Sequence, residues 1–367
     1  MRMSVGVDLH KGQFTVYWRG EGGNEGRFAL YGTNEHGYRG FESQLMEAVN
    51  GGHEVRVAVE STGNTRYFKG RVEKLGIEVV VINTSKFKVV NQSVKKTDRH
   101  DAATIAEFLE KDMLPEARLC SADSEELRRL LKARRTLVQS IGAVKNQLHG
   151  MLLSLGIETK KGSLQSKKGR RRVLSVLEEQ GLAGVAVKPL IETIDLLDQQ
   201  VKVLEKVLAE RVAGDRMVEL IMTIPGAGLI TASTVRAFTD DISRYEDPKH
   251  YASHAGLAPW VQDSGQRERH GSITKRGPEE LRTALVQIVV GMVRNSRKTA
   301  SFRLMQRYAM LKQQKGSGRS IIATARKLST VIWHMLTKDE EFDPLRMTDA
   351  AVRKTAKEMR AAAVEVA

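Results

Sequence analysis

Cysteine is nearly absent from this chain of 367 residues. The single thiol, Cys120, has no partner for an internal disulfide and none for a cysteine zinc site, which fits a reducing compartment. No uncharged apolar run approaches the ~18 residues a membrane helix needs, and Asp8 interrupts the N-terminal stretch where a signal peptide would carry its apolar core. A cytoplasmic chain with no membrane partner is expected. With 41% hydrophobic and 28% charged residues, disorder, collagen and a disulfide scaffold are excluded, and the length allows about two domains with real cores.

Acid is also in short supply. Lys and Arg number 59 against 44 Asp and Glu, a net +15. The excess is uneven: residues 1–118 hold 17 basic and 16 acidic residues, so the remaining 42 basic and 28 acidic residues carry +14. A large one-sided positive charge points to a polyanion, most often nucleic acid; a merely solubilising basic surface is the blander alternative.

After Met3, Gln13 to Trp18 alternates apolar and polar residues, and Arg27 to Leu30 follows a Gly-rich turn at 20–26, so a three-strand meander is expected. Phe41, Leu45, Met46 and Val49 recur at helical spacing, Val55, Val57 and Val59 alternate up to Glu60, a helix runs from about Thr65 to Leu75, and Val79 to Ile82 is a short strand. Strands alternating with helices imply a mixed sheet with parallel central strands. That order resembles a ribonuclease H-like domain. From Ser124 the character changes, and positions 130, 134, 137, 141, 144, 148, 151 and 155 form a coiled-coil seam broken only by Arg134. Leu190, Ile194, Leu197, Val201, Leu204 and Leu208 repeat the pattern. Between the seams a basic loop with Lys167, Lys168, Arg170, Arg171 and Arg172 is expected to bind nucleic acid. The two helices could pair with each other or with another subunit. A basic helical region runs from Leu281 through Leu336, followed by a frayed tail.

The chemistry points to four acids. Asp8 and Glu60 close parallel strands, whose carboxyl ends are where ligands bind in an open sheet. Asp98 and Asp101, three apart at a helix start, share one face. Each alone has an ordinary role as turn residue, cap or dipole partner. Four converging carboxylates instead call for a hard cation, Mg²⁺ or Mn²⁺, and a phosphoryl-transfer site.

Val-Gly-Val-Asp-Leu-His-Lys at 5–11, Val-Glu-Ser-Thr-Gly at 59–63 and Lys-Thr-Asp-Arg-His-Asp-Ala at 96–102 resemble the DEDD signature of insertion-sequence transposases of the one-hundred-and-ten class, relatives of Piv-type DNA invertases. Ile-Pro-Gly-Ala-Gly at 224–228, Tyr-Ala-Ser-His-Ala-Gly-Leu-Ala-Pro at 251–259, Ser-Gly-Gln-Arg from 264 and Ile-Thr-Lys-Arg-Gly at 273–277 resemble that family's second domain in the same order. The resemblance implies an α/β RuvC-like domain over 1–118, coiled-coil helices over 119–212, a mostly helical serine-bearing domain over 213–340 and a tail over 341–367. It further implies DNA recombination by a homo-oligomer, in the prokaryotic cytoplasm near the nucleoid, guided by a structured bridge RNA. Ser264 stands where the family has its DNA-linking serine, although Asp-Ser-Gly-Gln replaces Ser-Ser-Gly-Gly; the alternative is a turn-stabilising serine. Ser272 ranks behind it.

Lys275 and Arg276 are suited to clamp phosphate, with a solvated turn as the alternative. Gly226 and Gly228 would let backbone amides approach a phosphate, or simply form a tight turn. His254 and Trp260 lie on apolar stretches and are expected to be packed, the alternatives being a proton shuttle for His254 and stacking on a base for Trp260. A recombinase is favoured over two rivals, a metal-dependent junction nuclease using water and a non-catalytic nucleic-acid scaffold.

Overall fold

In the computed structural model of the chain the described residues are 1–23, 26–84, 86–87, 97–160, 162–179, 184–264 and 267–344; for 23, 179, 184, 261–264 and 267–270 only the backbone is described. Lys96 and all but the first four residues of the expected tail fall outside them. The chain divides into two compact units, Met1–Cys120 and Ser121–Ala367.

In the first unit, β1 (Arg2–Leu9), β2 (Gln13–Gly20) and β3 (Gly26–Gly32) form an antiparallel meander. Strands β4 (Glu54–Glu60) and β5 (Glu78–Ile82) run parallel to β1, giving the order β3-β2-β1-β4-β5. The meander and the mixed sheet read from the sequence are present. Successive strand residues point to opposite faces. Val5, Val7 and Leu9 therefore join Phe14, Val57, Val59 and Val81 on one face, under Phe41 and Leu45 of helix Glu35–Asn50 and Phe68 of helix Thr65–Glu73. Phe14 is the hub, its ring centroid 5.3 Å from those of Tyr31 and Tyr38 and 5.4 Å from that of Phe41.

The other face carries Ser4, Gly6 and Asp8 of β1 and Ala58 and Glu60 of β4. Helix Asp98–Glu110 covers it, packing Ile105 and Leu109 on Ala58, Val80 and Ile82. The small residues on this face let the helix approach closely. A Cβ on Gly6 would stand 2.1 Å from the Ala102 carbonyl oxygen and 2.5 Å from the Ala106 nitrogen. The helix begins at Thr97, whose side chain accepts a hydrogen bond from the His100 amide at 3.2 Å. That start lies at the carboxyl end of β1.

The second unit opens with the long helix Ala122–Ser154, which packs against helix Gly184–Arg211. The pairs Arg211–Asp123 and Arg134–Glu205 show that the two run antiparallel. Ile141, Leu148 and Leu152 meet Val187, Ile191 and Ile194. The two seams thus pair within the chain. Arg134, the residue that breaks the apolar pattern, answers Glu205 at 2.7 Å.

The segment between them corrects an expectation. Residues Lys167–Glu179 are helical and not a loop, because Val173 and Leu177 are at helical spacing and complete the core of the hairpin. Arg170 is only 2% exposed, with its guanidinium donating to Asp195 at 2.6 Å, Asp198 at 2.8 Å and the Leu164 carbonyl at 2.9 Å. It is a structural ion pair and offers nothing to a polyanion, whereas Lys167, Lys168, Arg171 and Arg172 remain exposed. The rest of the unit builds one core around helices Glu279–Arg294 and Ser317–Lys338, including Leu285, Ile288, Leu328 and Ile332.

Three outcomes follow from this packing. Gly6→Ala forces the helix off the sheet and lowers stability by about 1–3 kcal/mol in urea denaturation; unchanged stability would mean that the close approach is not needed. Arg170→Ala strands two carboxylates and costs roughly 2–4 kcal/mol, below the range for fully buried pairs because Asp195 and Asp198 are each about a third exposed. Replacing Lys168 or Arg172 by Gln shifts the same unfolding curve by under about 0.5 kcal/mol.

Candidate active site

The carboxyl ends of β1 and β4 form one edge of the first sheet. Val7 pairs in register with Val59, so Asp8 and Glu60, one residue further on, are adjacent on the face that helix Asp98–Glu110 covers. Asp8 is 6% exposed and Glu60 is partly buried. The loop after β4 is fixed from both sides. Thr65 Oγ1 donates to the Glu60 carbonyl at 2.7 Å, and Asn64 Nδ2 donates to the His10 carbonyl at 3.2 Å.

Asp98 and Asp101 occupy the first turn of their helix. The structure brings Asp98 to Asp8 through a residue the sequence reading quoted but gave no role, His10. Its Nε2 is 3.0 Å from Asp8 Oδ2 and 3.7 Å from Asp98 Oδ1. One ligand atom from each of Asp8, His10 and Asp98 lies within 4.8 Å of the others. The signal was available: residues two apart at a strand end point the same way, so a histidine two places after a site aspartate belongs to that site.

Burial pushes the Asp8 carboxyl above its ordinary range, and the Asp98 and Asp101 charges push it further, while His10 opposes them. A buried carboxylate held beside two like charges and an imidazole is a donor set that a divalent cation would relieve. Carboxylate oxygens suit Mg²⁺ or Mn²⁺, and the nitrogen favours the latter.

In the second unit, β6 (Pro259–Ser264) and β7 (Arg267–Ile273) form a hairpin in which Ser264 pairs with Arg267 at the tip. The Ser264 hydroxyl lies outside the described side chains, as do Gly265 and Gln266. Two of the sequence motifs are built against each other at the hairpin base. Lys275 N donates to Gly256 O at 3.1 Å, and a Cβ on Gly277 (φ 120°) would stand 1.9 Å from His254 O. Only glycine serves there. Lys275 and Arg276 project from this turn and are exposed.

Gly226 (φ 96°) lets its turn meet helix Glu279–Arg294 backbone to backbone, since a Cβ would fall 2.7 Å from Ile288 O. Gly228 caps helix Leu229–Thr239, and its amide donates to Thr231 Oγ1 at 2.9 Å. His254 is packed, with Nε2 bonded to the Phe238 carbonyl at 3.1 Å and its ionisation suppressed by burial. Trp260 corrects an expectation: it is 47% exposed, lying over Gly271 on the outside of the hairpin instead of in the core.

Comparison with known proteins joins the two units. A transposase family model for the DEDD enzymes of IS110 matches residues 5–157, and the model "Transposase IS116/IS110/IS902 family" matches residues 218–304. The chain carries the transposase domains of the IS110/IS116/IS902 family. It is similar to a probable family 20 transposase of Pseudomonas aeruginosa, 25% identical over 78% of this chain and 86% of that one. It is also similar to the transposase for insertion sequence element IS1111A of Coxiella burnetii, 26% identical over 78% of this chain and 79% of that one. A pilin gene-inverting protein of Moraxella bovis matches at 28% identity over 68% of each. Transposases and a DNA-inverting protein in one set of relatives place the family's activity in DNA recombination.

Within the first unit, which the transposase model matches from residue 5, the acidic edge leaves a signature in stability. The Asp8 carboxyl sits above the unfolded value of 3.8, so its ionisation opposes folding. The associated stability is complete below pH 3.8 and is lost as pH rises through the folded pKa. Asp8→Asn keeps an acceptor for His10 and removes the charge. In EDTA the variant therefore melts no lower than the wild type at pH 7, and any advantage closes toward acid; a clearly lower Tm at pH 7 would contradict the reading.

Proposed function

We propose that the chain is a DNA transposase that cuts and exchanges strands with two chemistries, a Mg²⁺- or Mn²⁺-binding acidic site and a serine nucleophile. The observation that carries this reading is the convergence of buried Asp8 with Asp98 and His10 at the carboxyl edge of the sheet, with Asp101 and Glu60 beside them. Asp8, Glu60, Asp98 and Asp101 would hold the metal, and His10 would orient Asp8 or add a nitrogen ligand. The bound cation supplies charge neutralisation and Lewis acidity toward a phosphodiester. The strand order and the acidic edge support a RuvC-like catalytic domain over 1–118, followed by a helical region over 119–212 and a serine-bearing domain over 213–340.

The second chemistry rests on the family position of Ser264. Its Oγ forms a bond to a DNA phosphorus as the bond from phosphorus to a deoxyribose oxygen breaks. The serine proton passes to a base, and the leaving oxygen takes up a proton. The phosphoester is conserved and no external energy is needed to reverse the step. Exposed Lys275 and Arg276 would offset phosphate charge, and Lys167, Lys168, Arg171 and Arg172 would add phosphate contacts, with Gly226 and Gly228 shaping a nearby turn. The functional unit is read as a homo-oligomer, because exchange between two DNA molecules needs more than one nucleophile. A structured guide RNA is read from the family alone.

The test is a denaturing gel of protein incubated with Mg²⁺, a plasmid carrying the element ends and the transcript flanking them. A covalent protein–DNA species in the wild type that disappears in Ser264→Ala and falls at least ~100-fold in Asp8→Asn supports the reading. Cut ends with no adduct would replace it with a nuclease that uses water.

A further inference from the structure

The second unit carries a groove whose described lining contains none of the acidic-edge residues. It measures 1040 Å³ and is walled by β7, by helix Arg303–Lys315 and by helix Ser317–Lys338. Its volume exceeds the ~300–1,000 Å³ of ordinary small-molecule sites. The lining is one-sided in charge. Arg307 and Lys315 come from the first helix and Arg319, Arg326 and Lys327 from the second, and no Asp or Glu is among the described lining residues.

The helical periodicity makes this a designed face. Arg307, Leu311 and Lys315 are spaced by four, and Arg319, Ile322, Arg326 and Thr330 by three or four, so each helix turns one stripe into the groove. Gly316 (φ 77°) makes the sharp turn that folds the two stripes against each other. Lys315, Arg319 and Arg326 are exposed, leaving their donors free to reach a ligand across an apolar floor of Leu257, Ile273 and Ile322. Lys315, Arg319 and Arg326, exposed around a groove with no acid among its described lining residues, suit a polyanion.

The third wall gives the groove its register. Gly271, Ser272 and Ile273 belong to β7, whose partner strand ends at Ser264. Ser272 is five positions along β7 from Arg267, which lies opposite Ser264, about 17 Å of strand. At ~3.4 Å per nucleotide along one strand, that is roughly five nucleotides.

We propose that this groove holds the phosphate backbone of the DNA being recombined, roughly five nucleotides from the phosphate that Ser264 engages. The groove fixes the DNA and Ser264 does the chemistry, so Ser272 is a wall residue and not a second nucleophile. The assignment of DNA as occupant rests on the proposed transposase reading. Binding and chemistry are nevertheless read separately.

The experiment measures equilibrium binding of a fluorescein-labelled DNA duplex of arbitrary sequence to the full chain across a salt series, with an RNA duplex of the same sequence in parallel. Lys315→Gln, Arg319→Gln and Arg326→Gln, combined, are exposed changes whose folding is checked by circular dichroism. The expected result is a loss of about 2.7 from the slope of log K against log salt with DNA, about 0.9 per phosphate contact removed, with Ser264→Ala keeping the full slope. An unchanged slope, or a fall confined to the RNA duplex, would overturn the proposal. Failure of Ser264→Ala to abolish the adduct would sink the nucleophile assignment while leaving the slope result intact.

Discussion

The close approach of helix Asp98–Glu110 to β1 is the constraint on which the first unit depends. One missing side chain, at Gly6, lets the Ala102 and Ala106 backbone lie against the strand. The helix then begins beside the strand's carboxyl end, where Asp98 and Asp101 face Asp8. Packing of this kind is not adjustable by a fraction of an ångström, because interiors are close-packed and backbone atoms cannot retreat as flexible side chains do. The same step that completes the core therefore assembles the charged site. It also accounts for the raised Asp8 carboxyl: the helix that buries the aspartate carries the two like charges that crowd it.

The second unit divides its cations between two uses. Arg170, Arg134, Arg211 and Arg236 are bound by carboxylates and hold helices together. Arg319, Arg326 and Lys315 instead face a groove with no acid among its described lining residues. Net charge alone cannot separate these groups. An arginine paired at 2.6 Å and 2% exposed counts toward +15 as fully as one that meets solvent, yet only the second is available to a phosphate.

That difference also marks what the sequence disclosed. The strands of the first unit were legible because Val5, Val7, Val57 and Val59 alternate on a buried face, and the helical hairpin because its leucines repeat at steps of three and four. Asp8 and Glu60 were legible as strand-end acids. The run around Arg170 was misread as a loop because its polar residues dominate locally, while Val173 and Leu177, which make it a helix, are satisfied only by contacts with the distant Gly184–Arg211 helix. His10 was overlooked as a site member although its place two residues after Asp8 was a local signal, because its link to Asp98 depends on a helix some ninety residues away in sequence. Trp260 was misplaced for the converse reason, since an apolar neighbourhood in sequence lies on the outer side of a hairpin in the fold.

Whether the acidic edge is a metal centre is read by calorimetric titration of Mn²⁺ into the full-length protein at neutral pH, without DNA, RNA or activity. A metal centre there gives saturable binding that is lost in Asp8→Asn, weakened about 10-fold or more in Asp98→Asn and in His10→Ala, and unaffected by Ser264→Ala. Absence of saturable binding, or binding that survives Asp8→Asn unchanged, would contradict it.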